Sequence, residues 1–243
     1  GLGDALAQVA AFPEGLHARS MTTGEVLATL PLKDADTIYG APYVTVHRAD
    51  LHGLLLQAAL REGVQVHSDA VVQRLAQMPD AVTIDVMQGG QSQQHRADMA
   101  VAADGVWSPL RQQLLGDGLP MFTGHMAYRA LVAQADLPAH LRSQDVSVWM
   151  GLQAHVVSYP VRGGDYLNVV CLAESRLLDD DANNLHALQT WHVQKSEAQT
   201  LLELHHALRG ACTALTDLMN ACSDWRLWPL CGRLAMQGAH EHV

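Results

Sequence analysis

Positive charge is scarce in this chain: 15 Lys and Arg stand against 25 Asp and Glu, a formal net charge of −10 with histidine neutral. A nucleic-acid binder needs an excess of cations to displace counterions, so that class is excluded. Cysteine is scarce too. The four, Cys171, Cys212, Cys222 and Cys231, show no CxxC spacing. That pattern argues against a disulfide scaffold or a zinc site and fits a reducing cytoplasm. No apolar run approaches the roughly 20 residues that span a bilayer. The opening residues Gly1 to Leu6 carry neither the basic region nor the apolar core of a secretory leader. GxSxG and GxxxxGK[ST] are missing, which removes the hydrolase elbow and the P-loop. His205-His206 point apart on a helix, and His240-Glu241-His242 would need ligands from elsewhere, so no metal is expected. The expectation is a cytoplasmic protein with no nucleic-acid, membrane or metal partner.

What is present points to two domains of different character. At 243 residues the chain can bury a substantial core. Short strands are expected at Leu16–Met21 and Glu25–Leu30, around a turn at Thr23-Gly24. A strand from Tyr43 precedes a helix capped by Asp50, whose apolar face carries Leu51, Leu54, Leu55, Ala58 and Ala59. Further strands are expected at Val64–His67, around Ala70–Leu75, at Ala81–Met87 and at His95–Val101. The run Val101-Ala-Ala-Asp-Gly-Val-Trp-Ser-Pro-Leu-Arg111 reads as a buried strand that breaks at Gly105 and turns at once into a helix. Ser108 is the expected N-cap, Pro109 suits the first helical position and Arg111 falls in the first turn. Such an end gathers backbone N–H groups, the Asp104 carboxylate and a guanidinium, equipment suited to a pyrophosphate or ribose. Beyond Gly116-Asp117-Gly118 the character changes. Phe122–Val132, Val146–Met150, His155–Val161 and Tyr166–Glu174 read as an antiparallel sheet. Ala187–Lys195, Glu197–Leu208 and Thr213–Cys222 read as helices, and Trp225–Leu230 as a returning strand. Asp179 to Asn184 reads as a solvated loop, and Arg162-Gly-Gly164 as a turn with a solvated arginine.

Three stretches in order resemble the class A FAD-dependent aromatic monooxygenases. The first is Asp104-Gly105 with its flanks. The second is Tyr43-Val-Thr-Val-His-Arg-Ala-Asp-Leu51, similar to a His-Arg-x-x-Leu segment. The third is His155-Val-Val-Ser-Tyr-Pro-Val-Arg-Gly-Gly164, similar to the salicylate and 3-hydroxybenzoate 6-hydroxylase branch of this p-hydroxybenzoate hydroxylase-like fold. The resemblance implies mixed α/β and α+β architecture: a partial, Rossmann-like FAD-binding domain plus an antiparallel-sheet substrate domain with helices. It implies domains at 1–117 and 118–224, with 225–243 returning to the first. It implies FAD as cofactor and NADH or NADPH as co-substrate. A flavin hydroperoxide would then hydroxylate a phenolic or aromatic carboxylate substrate with O2, with decarboxylation in the salicylate case. By resemblance Arg48 lies beside the flavin, and Asp104, Gly105 and Arg111 serve the dinucleotide end. His155 and Tyr159, four apart and so on one face of a strand, match the base histidine and pocket tyrosine. Ser158 stands where relatives suggest His. Arg129, in a recurring Tyr-Arg pair, has nucleotide, carboxylate and structural roles all open.

No GxGxxG fingerprint of a dinucleotide fold occurs. Leu2 to Val9 resembles the tail of a helix, and the family's Gly-Asp motif would follow Val243. The expectation is a fragment of a longer enzyme, monomer or homodimer. Two rivals stand beside it: a flavin-fold dehydrogenase or reductase, and a catalytically inert fragment that self-associates through an open sheet edge.

Overall fold

Strands widely separated in sequence build the main sheet. The computed structural model describes residues 1–174 and 196–233, and the chain divides into two compact units: 1–63 with 124–230, and 64–123 with 231–243. This differs from the expected division at 117/118 and 224/225. Residues 1–63 group with the large sheet because two early strands are built into it.

The larger unit begins with α1 (Gly3–Ala7), β1 (Ala10–Ala11), β2 (Gly15–Ser20), β3 (Val26–Pro31), α2 (Ala35–Tyr39), β4 (Thr45–Val46) and α3 (Arg48–Arg61). β1 and β4 form a short antiparallel ladder. Unit 2 intervenes with β5 (Ala70–Met78), β6 (Ala81–Gln88), β7 (Gln91–Ala97) and α4 (Pro109–Leu115). The sheet then continues through β8 (Met121–Ala133), β9 (Val146–Met150), β10 (Ala154–Val161) and β11 (Tyr166–Glu174). α5 (Glu197–Ala207), α6 (Thr213–Asn220) and β12 (Arg226–Gly232) complete the described chain. The seven-stranded order is β12-β8-β11-β10-β9-β2-β3. β8 to β11 are antiparallel neighbours, as their alternating sequences predict, whereas β2 joins β9 in parallel, with Ala18 opposite Val148.

Alternation decides which face of this sheet is covered. Met126, Tyr128 and Ala130 of β8, Val156 and Ser158 of β10, and Leu167, Val169 and Cys171 of β11 are buried. α5 lies on that face: the Tyr128 hydroxyl donates to Glu203 at 2.7 Å, and Leu204 is 1% exposed. A Ser196–Gln199 capping box fixes where α5 starts. The intervening side chains, among them His155, Val157 and Tyr159, form the opposite, more open face.

Unit 2 is a three-stranded antiparallel meander, β5-β6-β7, packed against α4 through Leu75, Val82 and Leu110. Two expected strands are not formed. Val64–His67 joins no ladder, with Val64 and Val66 about half exposed. Residues 98–104 carry no ladder, and Val101 is 82% exposed. An apolar run becomes a strand only beside another strand that takes its N–H and C=O groups, and this meander ends at β7. The expected helix Ala187–Lys195 and the loop Asp179 to Asn184 lie outside the described residues, as does His240-Glu241-His242.

Candidate flavin and substrate sites

The open face of the large sheet holds one group of sequence-predicted residues. Pairing runs His155↔Leu172↔Ala127, Val157↔Val170↔Arg129 and Tyr159↔Asn168↔Leu131, three successive rungs that share this face. His155 and Tyr159 therefore bracket a floor of Val157 and Val170, roughly 13 Å apart along β10. His155 is exposed and Tyr159 half-buried. Burial raises the Tyr159 hydroxyl above its ordinary pKa of 10.0, and the Arg129 charge pulls it back in part. Arg129 stacks its guanidinium on the Trp228 ring, 4.5 Å from the centroid. Ser158 points to the opposite, helix-covered face and is 3% exposed, so it takes no part in this surface.

Arg48 belongs to the same unit. It is the first residue of α3, exposed, and the helix N-cap is His47 rather than the expected Asp50. Asp50 is otherwise engaged: its two carboxylate oxygens accept from Arg162 Nε at 2.8 Å and a terminal nitrogen at 3.2 Å. The expectation of a solvated arginine at 162 is thereby corrected. Arg162 sits at φ 55°, which aims its side chain at Asp50, and its guanidinium lies 5.4 Å from the Tyr166 ring centre. Hydrogen bonding by Arg162 holds the Asp50 carboxyl below the usual carboxylate range.

In unit 2 the turn forms as expected. Gly105 takes φ +81°, and open space lies where a Cβ would stand. Ser108 accepts from the Arg111 N–H at 2.8 Å, and Pro109 follows at the first helical position. Asp104 is exposed. Arg111 does not simply face solvent: its Nε donates to Asp117, whose other oxygen accepts from Arg233 at 2.8 Å. Arg233 is 5% exposed and also donates to the carbonyls of Val106, at 2.6 Å, and Gly118, at 2.7 Å. Asp117 thus fixes the loop that follows Asp104-Gly105. In sequence it was only the middle of a glycine-flanked break, and nothing local marks it.

A model of the FAD binding domain family matches residues 1–207. The 3-hydroxybenzoate 6-hydroxylase 1 of Aquipseudomonas alcaligenes is 30% identical over 235 residues, 96% of this chain and 56% of that protein. The chain belongs to the class A FAD-dependent aromatic monooxygenases. Within this monooxygenase family, the 6-hydroxynicotinate 3-monooxygenase of Pseudomonas fluorescens is 35% identical over 165 residues, 67% of the chain and 42% of that enzyme. The crystal structure of Klebsiella pneumoniae HpxO with FAD and uric acid aligns over 95% of the chain and 55% of its own, at a TM-score of 0.75 and 19% identity, and shows the shared flavoprotein fold. The mixed α/β architecture expected from sequence is that fold. The chain spans about half the length of the curated relatives it matches.

The residues present fit a dinucleotide in kind. An exposed arginine stands on the first turn of a fourteen-residue helix. A glycine turn beside an exposed carboxylate leaves its backbone open to close approach. These donors suit phosphate and ribose. Arg48, His155 and Tyr159 share one unit, while Asp104, Gly105 and Arg111 lie in the other. Three residues were missed by sequence reasoning: Asp117, Asn168 and Trp228. Asn168 was accessible from the alternation of β11, which puts it on the face of Tyr159.

Among the described residues, no group of three or more His, Cys, Asp or Glu could hold a metal. No described helix is long and apolar enough to cross a membrane.

Proposed function

We propose that the whole protein hydroxylates a phenolic aromatic carboxylate, using FAD, NADH or NADPH as reductant, and O2. The reading is carried by the open sheet face on which His155 and Tyr159 flank an apolar floor. A planar ring can lie on Val157 and Val170 with polar groups at either end. FAD, when bound, supplies the redox chemistry and oxygen activation. By the family resemblance, Arg48 is assigned to hold it by charge, and Asp104, Gly105 and Arg111 to serve the dinucleotide end. Asp117 positions Arg111 for that role.

The remaining chemistry belongs to side chains of this unit. A phenol ionises near pH 10, so it is neutral at physiological pH, while electrophilic hydroxylation needs the more electron-rich phenolate. His155 Nε2 or Nδ1 accepts that proton, a transfer typically worth 10²–10⁴-fold. Tyr159, its hydroxyl pKa raised by burial, offers a neutral hydrogen-bond donor at the other end of the floor. A cytoplasmic enzyme, monomeric or homodimeric, is the form proposed.

The test uses the natural full-length protein. Its spectrum is expected to show bound flavin, and a hydroxybenzoate is expected to stimulate NAD(P)H oxidation with incorporation of labelled oxygen. His155→Asn is expected to lower kcat about 10²–10⁴-fold. A colourless full-length protein overturns the flavin reading. Nicotinamide oxidation without oxygen incorporation assigns it to the reductases instead.

A further inference from the structure

One nitrogen donor on the open face has no acceptor. Arg129 Nε is buried and has no hydrogen-bond partner among the described residues, whereas the Asn168 amide beside it lies against the Tyr159 hydroxyl. Buried donors are nearly always satisfied, and an exception calls for a reason. Arg129 is not compensated by a carboxylate among those residues. The groups facing it are the Trp228 ring and, at longer range, the hydroxyl of Tyr159. Its guanidinium has one face covered by indole, which strips water from it and strengthens its attraction for an anion.

The register fixes where that anion would sit. Arg129 shares a rung with Val170 and Val157, the middle of the apolar floor, two strands away from β10. His155 lies one side-chain repeat to one side of that rung and Tyr159 one repeat to the other. Asn168 pairs directly with Tyr159 and diagonally with Arg129, on the same face. A ring resting on Val157 and Val170 can therefore direct one substituent toward β10 and another toward β8. The β10 side carries the proton-accepting histidine, and the β8 side carries a fixed cation.

We propose that Arg129, braced on Trp228 and assisted by Asn168, is the carboxylate-recognising end of the substrate site, and so selects aromatic acids over neutral phenols. The inference rests on the substrate reading above and goes further by naming what reads the acid group. A guanidinium presents a planar fork of donors that matches a carboxylate, and stacking on Trp228 fixes the plane of that fork. The Asn168 amide, beside the Tyr159 hydroxyl, supplies a further donor. The ligand's carboxylate would satisfy the orphaned Arg129 nitrogen.

The experiment is calorimetric titration of the flavin-loaded full-length protein with two acids, 3-hydroxybenzoate and salicylate, and with their neutral amides, 3-hydroxybenzamide and salicylamide. The unmodified protein is expected to bind an acid at least about tenfold more tightly than its amide. Arg129→Met is expected to weaken the acid about 10- to 100-fold and to leave the amide within about threefold. Should Arg129→Met fail to fold, Asn168→Asp decides: it is isosteric, pairs with Arg129 from within the protein and repels a second carboxylate. It is expected to weaken the acid by a similar factor while sparing the amide. Equal binding of acid and amide by the unmodified protein overturns the proposal. So does acid affinity unchanged in both variants, or equal loss of acid and amide, which marks a purely structural arginine. Failure of the unmodified protein to bind any of the four ligands overturns the substrate reading itself.

Discussion

Removing the Asp117 carboxylate should loosen unit 2 and leave the large sheet untouched. Its side chain is 9% exposed, and it accepts from Arg111, 29% exposed, and Arg233, 5% exposed. In Asp117→Ala, Arg111 can turn toward water. Arg233 cannot, and among the described residues it keeps only carbonyl partners, on Val106, Ser108 and Gly118. Breaking a buried ion pair by deleting one partner costs about 3–5 kcal/mol. The surviving carbonyl bonds place this case at the lower end, at about 3 kcal/mol. If the chain melts as one unit of its size, that is a fall in Tm of about 6–12 °C. Thermal melts followed by circular dichroism give the shift, and amide hydrogen exchange gives its location. Protection should fall across residues 64–123 and persist in β8 to β11. Because the pair is buried, raising salt to 0.5 M should leave most of the effect in place. A melting point within 1 °C of the unmodified protein, or protection lost first in β10 and β11, would refute the assignment of Asp117 as the anchor of this loop.

Other consequences are as direct. Asp50→Asn should cost only about 0.5–1 kcal/mol, because the Arg162 partner is 37% exposed and solvent screens the pair. The folded-state pKa of Asp50 is depressed. Its contribution is therefore complete above the ordinary carboxyl range and fades as pH falls through the lowered value, so denaturation curves of variant and parent should converge in acid. Cys171 is fully buried, with a thiol pKa pushed up to about 12. It should resist a thiol reagent at pH 8 until the protein is unfolded, while Cys212, half-buried, reacts first; mass-spectrometric mapping of labelled sites checks the order. Leu204→Ala, at the centre of α5, should destabilise by about 2–5 kcal/mol in urea titrations, and a value under 1 kcal/mol would show that α5 does not close the sheet.

Period-2 alternation made the β8–β11 face legible before any coordinates. Val156, Ser158 and Pro160 against His155, Val157 and Tyr159 is a local pattern, and it places the His155 and Tyr159 side chains correctly on one side. The cap at Ser108 and the glycine turn at 105 were legible for the same reason, since each depends on neighbours three or four residues away. What could not be seen depends on partners far along the chain. Nothing near Asp50 announces Arg162, and nothing near Asp117 announces Arg233. The apolar residues 100–103 carry every local mark of a strand, yet a ladder needs a second strand. His47 rather than Asp50 ends up as the helix cap because the long-range pairing with Arg162 outweighs the local capping preference.

The parallel pairing of β2 with β9 sets a schedule for synthesis. About 130 residues separate the two strands along the chain: Gly15 and Asp145, which hydrogen-bond at the start of that ladder, are 130 apart. At ribosomal speeds of about 5–20 residues per second, β2 and β3 leave the ribosome roughly ten seconds before β9 exists to receive them. Over that interval their hairpin offers a full row of unpaired backbone groups, with Val26, Leu27 and Leu30 on a strand whose side chains are exposed in the folded chain. The meander of unit 2, which ends at Ala97, can close in the meantime. A nascent chain of this kind depends on holding an early hairpin soluble until its distant partner arrives, and a stall in translation between residues 31 and 146 would fall at its most adhesive moment.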